Sequence, residues 1–125
     1  MSAPLVLLVE DNETNQMLTT AVLNRDGYRV SVASTAEEGR ALIDAEAPDL
    51  ILMDLQLPGL DGLGFTRELR RGAATASIPI VAMTAHAMLG DEQEALAAGC
   101  VGYIAKPIDT RTLGESLKRY LQVAP

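Results

Sequence analysis

At 125 residues with 48% apolar side chains, the chain has the length of one domain and enough of it to bury about two-thirds of its unfolded surface. Its 17 acidic against 10 basic residues leave a formal charge of −7, which argues against nucleic-acid binding as a main activity, because a phosphate backbone needs a basic face. No signal-peptide pattern opens the chain and no apolar run approaches the ~20 residues of a membrane span, so a soluble, cytoplasmic protein without membrane insertion is expected.

The first element is the continuous apolar run Leu5-Val6-Leu7-Leu8-Val9, a strand that ends in Glu10-Asp11. Helical spacing follows over 14–26, with Thr14, Leu18, Ala21 and Val22 read as one face. Residues 29–33 form a second, less uniformly apolar strand. Residues 35–46 carry Ala36, Gly39 and Ile43 at helical spacing, opened by a capping box at Ser34-x-x-Glu37 or Thr35-x-x-Glu38. A third strand over 49–53 ends in Asp54 and runs into the turn-forming stretch Gln56 to Gly62. Helices are predicted over 62–71 and 88–98 on either side of a fourth strand, 80–83, which ends in Thr84. Gly27, Gly72 and Gly99 follow three of the helices as stop signals. Cys100, the one cysteine, allows no internal disulfide and reads as a small buried hydrophobe ahead of the fifth strand, 101–105. That strand ends in Lys106-Pro107, and a last helix over 109–122, capped by Asp109, carries Leu113, Leu117, Tyr120 and Leu121 on its inner face.

Continuous apolar strands imply burial on both faces, and strict β-α alternation implies a parallel sheet with helices covering it. The expected fold class is α/β: a five-stranded parallel sheet, flavodoxin-like, doubly wound (βα)5 in the order 2-1-3-4-5, spanning 1–125 as a single domain. In such a sheet the C-terminal strand ends share one edge, where α/β folds place their ligands. Glu10, Asp11, Asp54, Thr84 and Lys106 therefore converge.

Three carboxylates brought together in a partly buried pocket repel unless a cation sits among them. An oxygen-only donor set without clustered His or Cys selects a hard ion, and few protein ligands suit Mg²⁺ better than a Ca²⁺ cage. Asp11 and Asp54 are the expected direct ligands, with Glu10 acting through water and the backbone carbonyl of Gln56 supplying another oxygen. Lys106 adds positive charge on the other side of Asp54. A carboxylate flanked by a divalent ion, an ammonium and a hydroxyl is equipped to receive a phosphoryl group: Asp54 as nucleophile, Thr84 and Lys106 on the phosphoryl oxygens.

Glu10-Asp11, Asp54-x-x-x-Pro58-x-x-Asp61-Gly62, Thr84-Ala85 and Lys106-Pro107 together resemble the receiver domain of two-component response regulators, over nearly the whole chain. The resemblance implies that Asp54 accepts phosphate from a phosphohistidine and that Asp11 and Asp54 hold Mg²⁺ with help from Glu10. It also implies a cis peptide before Pro107, and a switch in which Thr84 moves inward and Tyr103 rotates, reshaping the face of 88–98, 101–105 and 109–122. The implied partners are a sensor histidine kinase or histidine phosphotransferase and a downstream protein target. Val9 to Gln16 and Met83 to Met88 look like the receivers of hybrid histidine kinases and of stand-alone cell-cycle regulators. With Met1 at the start and the last helix at the end, a single-domain regulator without an output domain is expected, a module excised from a hybrid kinase being the alternative.

Other readings stay open at this stage. A phosphorylation-independent interaction domain would keep the fold without the chemistry; a flavin or nucleotide carrier would share the topology, although the glycines of Gly59-x-x-Gly62-x-Gly64 stand in the wrong order for a phosphate loop. His86 reads as a solvated loop residue, and the resemblance puts it with Gln56 where attacking water would approach. Arg67, Arg70 and Arg71 read as a solvated helix face, and Asp91, Glu92 and Glu94 as acids suited to a helix N-terminus.

Overall fold

The apolar runs pair edge to edge because each has two faces to bury and a backbone ladder to complete. The computed structural model describes residues 3–55, 62–84 and 89–123. Its elements are β1 (Leu5–Val9), α1 (Glu13–Arg25), β2 (Arg29–Ala33), α2 (Ala36–Ala45), β3 (Leu50–Asp54), α3 (Gly62–Arg71), β4 (Ile80–Thr84), α4 (Leu89–Ala98), β5 (Gly102–Ala105) and α5 (Leu113–Val123). Among the described residues the strands form one parallel sheet in the order β2-β1-β3-β4-β5.

Alternate side chains of the central strands feed two cores. Leu7, Val9, Ile51, Met53, Ile80 and Ala82 point to the side covered by α2, α3 and α4, where Phe65 and Leu69 pack. Val6, Leu8, Leu50, Leu52, Val81 and Met83 point to the side of α1 and α5, against Val22, Leu23, Leu113 and Leu117. β1, β3 and β4 are buried along their whole length, as two-sided coverage requires. β5 is an edge strand, so its apolar sequence is only half-buried, and Val101 ahead of it is exposed.

Local signals place most element ends. Thr35 is the N-cap of α2, its hydroxyl accepting from Glu38 N–H, while Glu38 Oε1 accepts from Ser34 N–H; Thr35-x-x-Glu38 is therefore the alternative used. Asn12 caps α1 by accepting from Asn15 N–H. Gly27 and Gly99 leave α1 and α4 at φ of 93° and 118°. Asp109 turns the chain through Arg111 N–H ahead of α5, which starts at Leu113 rather than 109. Asp49 lies outside β3; its carboxylate accepts from Leu5 N–H at 2.8 Å and ties the start of β1.

Two expectations about helix faces also need correction. The inner face of α1 is Thr19, Val22 and Leu23, whereas Thr14, Leu18 and Ala21 are exposed. Apolar residues surround this helix and a threonine takes an inward position, so spacing alone did not single out the buried stripe. Arg67 and Arg71 do face solvent, but Arg70 turns in. Its Nε donates to the Gly99 carbonyl at 2.8 Å and its Nη1 to the Ala76 and Ile78 carbonyls at 2.7 and 2.8 Å, lashing α3 to the loops before β4 and β5. Cys100 is buried as expected, and burial pushes its thiol pKa up.

Gly102 lies beneath the Tyr120 ring of α5, and a Cβ there would overlap the ring. Gly102→Ala is expected to destabilise the protein by about 1–3 kcal/mol, the range for overpacking a filled site. Urea denaturation checks this, with part of the loss recovered when Tyr120 is also trimmed to Leu.

Candidate functional site

The backbone ladder continues past the strand ends and sets the next side chains in a row. Glu10 N–H donates to Ala33 O at 2.9 Å, Leu55 N–H to Met83 O at 3.0 Å and Lys106 N–H to Thr84 O at 2.8 Å. Asp54 is in register with Met83, and Thr84 with Ala105. The sheet edge thus carries Glu10, Asp54, Thr84 and Lys106 side by side, with Asp11 at the rim.

Burial divides these groups. Glu10, Asp54 and Thr84 are 1%, 2% and 2% exposed, a degree seldom seen for acids without compensation, whereas Asp11 is exposed. Lys106 provides the compensation. Its Nζ lies 2.7 Å from Glu10 Oε1 and 3.1 Å from Asp54 Oδ2. The ammonium therefore bridges two strands' carboxylates, instead of only flanking the far side of Asp54. Its contact with Glu10 Oε1 is the shorter of the two, and that oxygen is buried. Glu10 Oε2 accepts from Asn12 N–H at 3.2 Å.

The pKa directions follow from this arrangement. Burial pushes Glu10 up, with the neighbouring Asp54 carboxylate adding to the rise and Lys106 opposing it. Burial also works against the Lys106 ammonium, but Glu10 and Asp54 together outweigh it and hold the lysine pKa above its ordinary value.

One carboxylate oxygen from each of Glu10, Asp11 and Asp54 lies within 4.8 Å of the others. One ammonium does not balance three acids, and the donors are all hard oxygens. The set fits a hard divalent ion held with water. Gln56 and His86 lie outside the described residues, as do Pro58, Asp61 and Ala85. The peptide between Lys106 and Pro107 is cis, as the resemblance implied. Tyr103 is half-buried and packs at the edge of the core beneath α2, α3 and α4.

Two further residues shape the site through contacts that the sequence did not announce, although both stand in stretches that carried the resemblance. Gln16, one turn into α1, donates its amide to the Glu10 carbonyl at 2.5 Å and to Ser34 Oγ at 3.0 Å. Gly62, the first residue of α3, backs directly onto the end of β3. A Cβ there would collide with the Asp54 carbonyl oxygen and stand 2.7 Å from Leu55 Cα, so only glycine lets α3 start against the end of β3.

A family model described as the response regulator receiver domain matches residues 6–118. The chain belongs to the response regulator receiver domain family. It is 40% identical over 116 residues to the polar-differentiation response regulator DivK of Brucella ovis, covering 93% of this chain and 94% of that protein. Among solved structures it is similar to the receiver domain of the sensor histidine kinase PA1611 from Pseudomonas aeruginosa PAO1. That receiver is 38% identical at a TM-score of 0.88, with 97% and 99% of the two chains covered, and holds a magnesium ion in its active-site cleft. The chemotaxis protein CheY4 of Vibrio cholerae is 27% identical at a TM-score of 0.90, with 95% and 99% covered. Receivers are phospho-accepting regulators in two-component phosphorelay signalling rather than classical enzymes, and this receiver has that class of function. Among its described residues, no helix is long and apolar enough to cross a membrane.

Removing the ammonium leaves Glu10 and Asp54 as buried acids without their counter-charge. Lys106→Met should cost about 3 kcal/mol of stability at neutral pH in the absence of divalent ions, the scale for breaking a buried ion pair. Burial raises the Glu10 pKa above its ordinary value, so the loss should shrink as pH falls and Glu10 takes up a proton. Denaturant titrations of both proteins across pH check the size and the trend.

Proposed function

We propose that Asp54 accepts a phosphoryl group from a phosphohistidine on a partner sensor kinase or histidine phosphotransferase, in a Mg²⁺-dependent reaction that this chain itself promotes. The observation carrying the reading is the pairing of a buried strand-end acid, Asp54, with Lys106 at 3.1 Å beside the acidic set Glu10 and Asp11. An ionised carboxylate attacks without a general base, since it has no proton to lose. One Asp54 oxygen bonds to phosphorus as the phosphorus–nitrogen bond breaks, and the leaving imidazole keeps the electron pair and takes a proton from solvent.

Lys106 moves little in this scheme, because its ammonium already contacts Asp54 and can meet a phosphoryl oxygen there. The Thr84 hydroxyl, one strand over, donates to another. Asp11, Asp54, Glu10 through water and the Gln56 carbonyl would hold Mg²⁺. When bound, that ion neutralises phosphoryl charge and orients the group. Attack by water on the acyl phosphate returns Asp54 slowly to its free form.

The donor would reach the site over α1. Met17 and Leu18 are 73% and 44% exposed there, and Leu18 lines a cleft with Asn15, Pro107 and Ile108 that opens beside Glu10 and Lys106. The output would leave by the α4-β5-α5 face, where Leu96 and Val101 are exposed and Tyr103 lies half-buried. Phosphoryl contacts to Thr84 and Lys106 would bias Thr84 and Tyr103 towards an alternative packing and so reshape that face for a downstream protein. These roles fit a cytoplasmic protein acting by contact with other proteins, without direct nucleic-acid binding.

Incubation with a small acyl phosphate and Mg²⁺ should raise the intact mass by one phosphoryl group in the wild type. Asp54→Ala, or chelation of the metal, should abolish the gain. An equal gain in the wild type and Asp54→Ala would contradict the assignment.

A further inference from the structure

We infer that Gln16 is a positioning residue for the acidic pair Glu10-Asp11, holding the peptide that joins them so that both carboxylates stand ready for the divalent ion. The inference rests on the reading of Glu10, Asp11 and Asp54 as the metal site.

Side chains on a helix lean towards its N-terminus, so Gln16, four residues past the Asn12 cap, reaches back over the β1–α1 junction. There its two amide N–H groups are both used, one on the Glu10 carbonyl at 2.5 Å and one on Ser34 Oγ at 3.0 Å. The Glu10 N–H is already held by Ala33 O at 2.9 Å. The peptide before Glu10 is thus fixed by β2 and the peptide after it by α1.

That second peptide is the one that matters for Asp11. Its plane contains the Glu10 carbonyl and the Asp11 N–H, so holding the carbonyl fixes where the Asp11 Cα lies. Asp11 is exposed, and its direction is set by this backbone rather than by close packing. Glu10 by contrast is buried and paired with Lys106. Gln16 also joins α1 to Ser34, whose own N–H is held by Glu38 of α2. One amide therefore braces both loops on the β1 and β2 side of the site.

Methionine has the length of glutamine and no donor, while glutamate keeps the shape but turns an acceptor towards the carbonyl. Mg²⁺ binding to the full chain can be followed by titration calorimetry or amide chemical shifts, with the melting temperature read alongside. Gln16→Met and Gln16→Glu should each raise the Mg²⁺ dissociation constant three- to tenfold. Ser34→Ala, which leaves the contact with the Glu10 carbonyl intact, should change it less than twofold. A merely structural amide would lower the melting temperature and leave the dissociation constant unmoved, and that result overturns the inference. Wild-type protein that binds no Mg²⁺ overturns the metal reading and this inference together; wild type that binds, with both Gln16 variants binding equally well, overturns this inference alone.

Discussion

Lys106 spans 52 positions of sequence to meet Asp54 and more to meet Glu10, and its ammonium is what makes two nearly inaccessible carboxylates tolerable at one sheet edge. An isolated ionised carboxylate in such a place would cost several kcal/mol or take up a proton. The bridge works only if β1, β3, β4 and β5 end level with one another. Parallel pairing with right register secures this, and it in turn needs helices on both faces to cover the apolar strands. The fold and the charge balance are thus one constraint: the sheet presents the acids, and the lysine lets the sheet close with them in place.

The ammonium satisfies part of the charge and leaves the rest. Three acids share one ammonium, and Asp11 stands at the open rim. A site that is half-neutralised and reachable from solvent favours an additional cation. Nearby elements hold this arrangement without touching its chemistry: Gly62 lets α3 begin against the end of β3, and Arg70 fastens α3 to the loops before β4 and β5.

Much of this was legible in the sequence because its signals are local. The runs ending in Glu10-Asp11, Asp54 and Thr84 announce strands buried on both faces, the run ending in Lys106 announces a strand but not its place at the sheet edge, and parallel topology then brings their ends together whatever lies between. The α1 face was not legible, since Met17, Leu18, Ala21, Val22 and Leu23 ring the helix and the inward Thr19 weakens the periodic signal. Arg70 was read as solvated because a guanidinium among Arg67 and Arg71 looks the same whether it meets water or three backbone carbonyls. Gln16 stood in a stretch that carried the resemblance, but nothing local announced its contacts: its two acceptors belong to Glu10 and Ser34, and only the folded chain sets them within reach of one amide. Side-chain contacts to the backbone are long-range in effect and leave no repeat to find.

The central claim is that Asp54, of the two carboxylates that Lys106 balances, is the one that receives the phosphoryl group. Borohydride reduction converts an aspartyl phosphate to homoserine, so protein treated with a small acyl phosphate and Mg²⁺ can be reduced, digested and mapped by mass spectrometry. The account predicts homoserine at position 54 and at no other acid. Conversion at Glu10 or Asp11, or at a residue away from the sheet edge, would contradict it.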